Sequence, residues 1–359
     1  MLSLSRELAG RGHEVFLLHE EEGSMLADYA AFSAGLLQTR LPGFAMRAPL
    51  RTLAGIVKLG NLARGLGIDV VLSSHRGYIR HAALVRLLHG IPSCFHLGLP
   101  SIGSGKTLRM AYPNVGAGIS PSAHTLATWA AGGWPAASLH VVRNWVDPSR
   151  FKPVADVGAL RRELDLPAGV PCVVFVGRVC AQKGIDVLLR AFAKLDARAD
   201  EACLVIVGAI APDYQQQFDV RLDSLGEQVR RRIILRPVTP TPEKYYAAAD
   251  VVCAPSLGDE AFGLTVLEAM SCGVPVISSA IGIIASIVGE QDGDLLVEAG
   301  DADELAKRLH SWLARPGDRN ECGRRLRERV LQHYGPDASI DAYETVIAGL
   351  ACTRRPCRA

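Results

Sequence analysis

Short, continuous apolar runs alternate along the chain with longer segments of helical period. The runs HEVFLLH (13–19), DVVLSSH (69–75), IPSCFHLG (91–98), VGAGIS (115–120) and SLHVVRN (138–144) predict strands, and helices are expected over 2–10, 47–66, 77–89 and 121–131. Residues 145–156, WVDPSRFKPVAD, hold two prolines and little periodicity, and read as a linker. A second alternation follows, with strands expected over 170–177, 202–208, 232–238, 250–255, 275–279 and 293–298. A helix is expected over 184–197, and closing helices near 301–313, 317–333 and 337–350. Strands separated by helices imply parallel sheets covered on both faces. The expected fold is therefore α/β, with two Rossmann-like domains facing a cleft. Residues 1–150 would form the first domain and 151–335 the second, with 336–359 a helix crossing back to the first domain, plus a tail. Such domains open on a strand and a glycine-rich turn, whereas this chain opens on a helix, so the first domain is expected to lack its first strand.

Composition adds limits. A length of 359 residues suits two domains with separate cores, and a net charge of +2 without an aromatic-interleaved basic patch gives no reason to expect a nucleic-acid partner. The nine cysteines are scattered without a C-x-x-C pair, and Cys172, Cys203 and Cys253 fall in apparent buried strands, where a thiol packs as a small hydrophobe. A reduced, cytoplasmic setting is the economical expectation. Cys352 and Cys357 in the tail lack partner ligands for a metal. No run of 18 apolar residues suggests a membrane span, and Arg6 and Glu7 interrupt any signal-like start.

The stretch 255–277, PSLGDEAFGLTVLEAMSCGVPVI, carries the densest chemistry. Glu260 is expected in the loop leaving a strand, Gly263 at the opening of a helix, and Glu268 a turn inside it. Free N–H groups at a helix start, with the helix dipole, make an anion site. A nearby ionised carboxylate accepts both protons of a vicinal diol. Phosphate beside a diol describes a nucleotide-sugar. A second loop, between Gly177 and Gly184, carries Arg178 and Lys183 at the carboxyl end of an expected strand, where open parallel sheets bind ligands. Arg can fork onto two phosphate oxygens and Lys adds a mobile charge, although both residue types are usually solvated surface groups.

Together, G-R-x4-K-G and P-S-x3-E-x-F-G-L-x3-E-A-M-x2-G-x-P-V resemble glycosyltransferase family 4, whose members are retaining, nucleotide-sugar-dependent enzymes of the two-Rossmann GT-B class. RELAGRGHEVFLL, GIDVVLSSH, GIPSCFHLG and SPSAHTLATWAAGG resemble the family's first domain more generically. The resemblance implies that Arg178 and Lys183 hold the donor diphosphate, Glu268 binds the ribose hydroxyls, and Glu260 meets the donor sugar. It places the backbone N–H groups of Gly263 and Leu264 at sugar or phosphate oxygens, Val238 at the base, and His96 beside the transferred sugar. A satisfied core histidine is the plain alternative for His96. His75 and Asn144 match weaker family positions. UDP is the family's commonest donor carrier and GDP the second. No metal and no other cofactor are expected, since Arg178 and Lys183 would neutralise the diphosphate. The acceptor would be a sugar, a lipid-linked glycan or a small molecule.

The chain departs from the family pattern in three places. The first strand and glycine-rich turn have no counterpart ahead of Leu2. Gly282 is retained in IGIIAS, but Ser286 stands at a usual glutamate. Pro237 and Trp145 replace common glycines. Two apparent motifs fail on spacing or context. GSGKT (103–107) lacks the glycine a phosphate loop needs, Pro100 standing there, and DGD (292–294) reads as a turn before a strand. DAD (301–303) reads as a helix start. The segment 47–66 mixes apolar residues with Arg47, Arg51, Lys58 and Arg64, fitting either a crossover helix with a solvated basic face or peripheral contact with the inner face of an anionic membrane. The expected activity is transfer of a hexose-type sugar from a nucleoside diphosphate to an acceptor hydroxyl. A non-catalytic nucleotide-sugar-binding remnant, or an epimerase of the same fold, are the alternatives.

Overall fold

A computed structural model describes residues 1–23, 25–40, 49–101, 105–195, 202–258 and 260–354. Arg47, Gly103, Ser104 and Cys357, singled out in the sequence, lie outside the described residues. The chain forms two compact units, Met1–Arg143 with Asp337–Ala359, and Asn144–Pro336.

The first unit holds β1 (Phe16–His19), β2 (Gly35–Gln38), β3 (Val71–Ser73), β4 (Ser93–His96), β5 (Gly116–Ser120) and β6 (Leu139–Val141). Strands β3 to β6 lie in chain order in one parallel sheet, whereas β1 and β2 form a separate parallel pair with Phe16 opposite Gly35. The resemblance expects one sheet in this unit, with a central strand ahead of Leu2; the described strands instead fall in two. Neither β2 nor the helix Leu26–Ala30 before it stood out in the sequence, because GLLQ is short and buries only alternate side chains partially. The core is aromatic: the rings of Tyr112 and Trp134 stack at 4.8 Å between centroids, and Trp129 meets Trp134 edge-on at 5.9 Å. Ser122 caps the helix Ala123–Ala131 by accepting the Thr125 N–H at 3.2 Å. The last helix, Pro336–Arg354, belongs to this unit and is tied to it by charge. Arg11 pairs with both Asp341 and Glu344, and His13 Nε2 lies 2.9 Å from Glu344 Oε1.

The second unit holds β7 (Cys172–Val176), β8 (Cys203–Val207), β9 (Ile233–Arg236), β10 (Val251–Ala254), β11 (Val276–Ser279) and β12 (Leu296–Val297). All its pairs are parallel, in the order β12-β11-β10-β7-β8-β9. The runs CVVFV and CLVIV are buried almost throughout, as strands covered on both faces must be. The strand expected over 293–298 is shorter than its apolar pattern: a 3-10 turn occupies Glu290–Leu295, and Asp292 is buried there against Arg325 at 2.5 Å. Asp301 caps the helix Ala302–Leu313 by accepting the N–H groups of Asp303 and Glu304.

Chain order along this sheet reverses between β7 and β10. On the amino side of that point Asp250 locks the two strands together. Its Oδ2 accepts from Arg161 at 2.6 Å and from the Cys172 N–H at 2.7 Å, and its Oδ1 from Arg319 at 3.1 Å. On the carboxyl side lie the loops leaving these two adjacent strands, the usual ligand position in an open parallel sheet.

Candidate active site

The loop leaving β7 ends in a single 3-10 turn, Ala181–Lys183, and reverses at Gly184 with φ +70°. A Cβ at Gly184 would stand 1.7 Å from the Pro255 carbonyl oxygen, so only glycine lets this loop press against the one leaving β10. The Leu257 N–H donates to the Gln182 carbonyl at 2.8 Å and clips the two together. Lys183 Nζ is thereby held 2.6 Å from Glu260 Oε2, and Ser256 Oγ stands 3.5 Å from the same oxygen.

Gly263 follows at φ +87° and caps the helix Leu264–Ser271. Its left-handed conformation strains any side chain, and a Cβ would meet Ile284 Cδ1 at 2.2 Å. The first amides of this helix have no intrahelical acceptor and so offer donors to an anion. A small cavity opens here, lined by Lys183, Ser256, Glu260, Gly263, Thr265 and Ser278 among others.

Glu268 lies on the same helix and accepts the Tyr246 hydroxyl at Oε2, 2.8 Å away. Burial pushes its carboxyl up to about 7, against the pull of the Tyr246 hydrogen bond and the Arg150 charge. Arg150 is itself fixed by Glu243 Oε2, at 2.9 and 3.0 Å, and by the Pro240 carbonyl at 2.6 Å.

The other residues singled out in the sequence are not among those lining that cavity. Arg178 is exposed on the loop after β7 and is not among the lining residues. Leu264 is the first helical residue and is exposed. Val238 follows β9 with 68% of its surface open. His96 ends β4 in the first unit, its Nδ1 2.6 Å from the Tyr343 hydroxyl, and burial pushes it down to about 4. The ring is therefore neutral near pH ~7, and Nδ1 and the Tyr343 hydroxyl share one hydrogen bond. His75 Nδ1 accepts the Gly77 N–H at 3.2 Å, which makes it the cap of a short 3-10 turn.

Sequence reasoning missed Tyr246, Thr265, Ser256 and Tyr343. Ser256 sits inside the P-S pair of the motif and was within reach. Tyr343 lies in the expected closing helix, whereas the helix Pro242–Ala248 that carries Tyr246 was not expected; both rings are buried. Among the described residues no group of three or more His, Cys, Asp or Glu is placed to hold a metal ion.

Comparison with known proteins covers both units. The family described as "Glycosyltransferase Family 4" matches residues 1–150, and "Glycosyl transferases group 1" matches residues 156–329. A D-inositol 3-phosphate glycosyltransferase of Xylanimonas cellulosilytica is 34% identical over 231 residues, covering 61% of this chain and 53% of the relative. Its namesake from Streptosporangium roseum is 34% identical over 196 residues, covering 51% and 43%. The chain thus spans about half the length of the curated relatives it matches. Among solved structures, Anabaena HepE in complex with UDP-glucose superposes with a TM-score of 0.82 at 18% identity, over 97% of this chain and 94% of that one. The sucrose-phosphate synthase of Thermosynechococcus elongatus gives 0.78 at 23% identity, over 97% and 92%. At these identities the superpositions speak for the fold, which is that of GT-B glycosyltransferases.

Proposed function

The chain belongs to the family 4 and group 1 glycosyltransferases, and from that premise we propose that it transfers a hexose-type sugar from a nucleoside diphosphate, UDP before GDP, to an acceptor hydroxyl with retention at the anomeric carbon. The observation that carries this reading is the meeting of Lys183 and Glu260 at the switch point of the second sheet, beside the amino end of the helix Leu264–Ser271. Breaking the sugar–phosphate bond puts negative charge on the leaving diphosphate and positive charge on the sugar ring. Lys183, Arg178 and the helix amides supply fixed positive charge where the leaving group develops it. Glu260 would accept sugar hydroxyls, and Glu268 the ribose diol. His96, in the first unit, would meet the transferred sugar. The relatives are named D-inositol 3-phosphate glycosyltransferases, and an acceptor carrying hydroxyls and an anionic group is the first class to try.

Calorimetric titration of UDP and GDP tests the donor half, with Lys183→Ala as control. Saturable binding that the variant weakens supports the reading; no binding by folded wild-type protein overturns it. Proton spectra of the product from a UDP-hexose report retention or inversion, and isomerised donor without transfer would replace the transferase with an epimerase.

A second reading concerns where the enzyme works. Helix Pro49–Gly65 exposes Leu50, Leu53, Val57 and Leu62 together with Arg51, Lys58 and Arg64. Between Asp28 and Asp147 the sequence holds a single acidic residue, Asp69, against eleven lysines and arginines. Such a surface suits peripheral binding to anionic lipid. No helix among the described residues is long and apolar enough to cross a membrane.

A further inference from the structure

The Tyr246 ring is fully buried on the helix Pro242–Ala248 and packs near Phe151, with 6.1 Å between centroids. A phenol in that position could have been a phenylalanine for all that packing requires. Its hydroxyl instead reaches the neighbouring helix. Thr265, which lines the cavity beside Lys183 and Glu260, lies one turn before Glu268 on that helix, and its side chain acts electrostatically on the phenol. The phenol in turn donates to Glu268 Oε2 at 2.8 Å. Among the described residues this is the hydrogen bond recorded for the Glu268 carboxylate, so one oxygen is fixed and the other is left for a ligand.

We propose that Tyr246 is a positioning residue for nucleotide recognition, which through its bond to Oε2 orients the Glu268 carboxylate toward the ribose diol of a ribonucleoside diphosphate. The inference rests on the donor reading given above and adds the reason that site would discriminate ribose from deoxyribose. A carboxylate free to rotate would accept from one hydroxyl as readily as two. One anchored by a buried phenol keeps its remaining lone pairs aimed along a fixed direction, and the ordering cost is met during folding instead of on binding. The phenol also favours the ionised carboxylate, which burial opposes. Both effects vanish together when the hydroxyl is removed.

The experiment compares UDP and GDP with their 2′-deoxy counterparts by calorimetry, between about pH 6 and about pH 9. The proteins are wild type, Tyr246→Phe, Thr265→Val and Glu268→Gln, each checked by circular dichroism and thermal melting. Wild type should prefer the ribonucleotide, with affinity rising as Glu268 ionises. Glu268→Gln should abolish both the preference and the pH dependence. Tyr246→Phe should reduce the ribose preference about tenfold and move the midpoint of the pH profile upward, the loss expected for one hydrogen bond to a charged group. Thr265→Val, which leaves the buried ring untouched, should move both in the same direction by less. Wild-type ribose preference and an unmoved midpoint in folded Tyr246→Phe overturn the positioning role while leaving the donor site standing. Binding of no nucleotide by wild type overturns the donor reading, and this inference with it. Retained ribose preference in Glu268→Gln overturns the role of Glu268, and with it that of Tyr246, but not nucleotide binding itself.

Discussion

Lys183 Nζ lies 2.6 Å from Glu260 Oε2, so the cation of the loop after β7 is neutralised by the carboxylate of the loop after β10. The two groups proposed to grip opposite parts of the donor hold each other, and replacing either one should change what the other does. Lys183→Ala should lower turnover on the order of a hundredfold or more, as removal of a donor at developing charge does. Glu260→Gln should act in two directions. It frees the ammonium for phosphate, so UDP alone should bind a few-fold more tightly, while turnover falls for want of the sugar contact. Calorimetry and a coupled nucleotide-release assay check both; parallel losses of affinity and turnover in Glu260→Gln contradict the pairing.

Glu268 should make the free protein less stable as pH rises. Its carboxyl titrates at about 7 in the folded chain, above the ordinary 4.5, because burial disfavours the charge. Between those values the folded state keeps a proton the unfolded chain has released, so stability drops through that window and then levels off. The difference is on the order of 3 kcal/mol. Glu268→Gln should therefore be the more stable protein at about pH 8 while binding nucleotide more weakly. Urea melts across pH, read beside binding constants, check the trade.

His96 carries the opposite dependence in the first unit. Burial holds its pKa at about 4, below the ordinary 6.5. Above 6.5 the ring is neutral in both folded and unfolded chains, and its contribution is complete. As pH falls toward about 4 the unfolded chain takes up a proton that the folded one refuses, and stability is lost. His96→Asn should flatten this acid limb. Ring-nitrogen chemical shifts should show the proton on Nε2 in wild type and a mixture of tautomers in Tyr343→Phe, since the phenol that occupies Nδ1 at 2.6 Å is then gone. An unaltered tautomer in the variant rules out Tyr343 as its cause.

The basic helix should behave as an electrostatic contact. Flotation with anionic vesicles at low salt is expected to carry the protein upward, and neutral vesicles should not. Reversing Arg51 and Lys58 to glutamate should cut partition by about a hundredfold or more, each charge near such a surface being worth about 1 kcal/mol. Absence of flotation at low salt removes the membrane reading.

Much of the second unit was legible because strands of a doubly covered parallel sheet spell themselves as unbroken apolar runs, CVVFV and CLVIV being the clearest. The motif also marked Lys183 and Glu260. What it could not convey is that they touch, which depends on β7 lying beside β10 although β8 and β9 come between them in sequence. Strand β2 escaped because half-buried GLLQ has no run to show. Residues 293–298 misled in the other direction, their apolar pattern coming partly from Leu295 packed inside a 3-10 turn. Tyr246 and Tyr343 escaped for a different reason. Their rings are buried, and the partner of a buried hydroxyl is chosen by neighbours distant in sequence, here Glu268 and His96.

The first unit is interrupted by the second and finished only by the helix Pro336–Arg354, while the Val146 N–H and the Tyr334 carbonyl, 3.1 Å apart, bring the two ends of the second unit together. Synthesis and assembly therefore run in different orders. The second unit is covalently complete while the first still waits for the helix Pro336–Arg354, which carries Tyr343, the hydrogen-bond partner of His96. A nascent chain would thus complete the Lys183–Glu260 loops before His96 meets Tyr343, and the segment from Asn144 to Pro336 is a natural piece to produce alone.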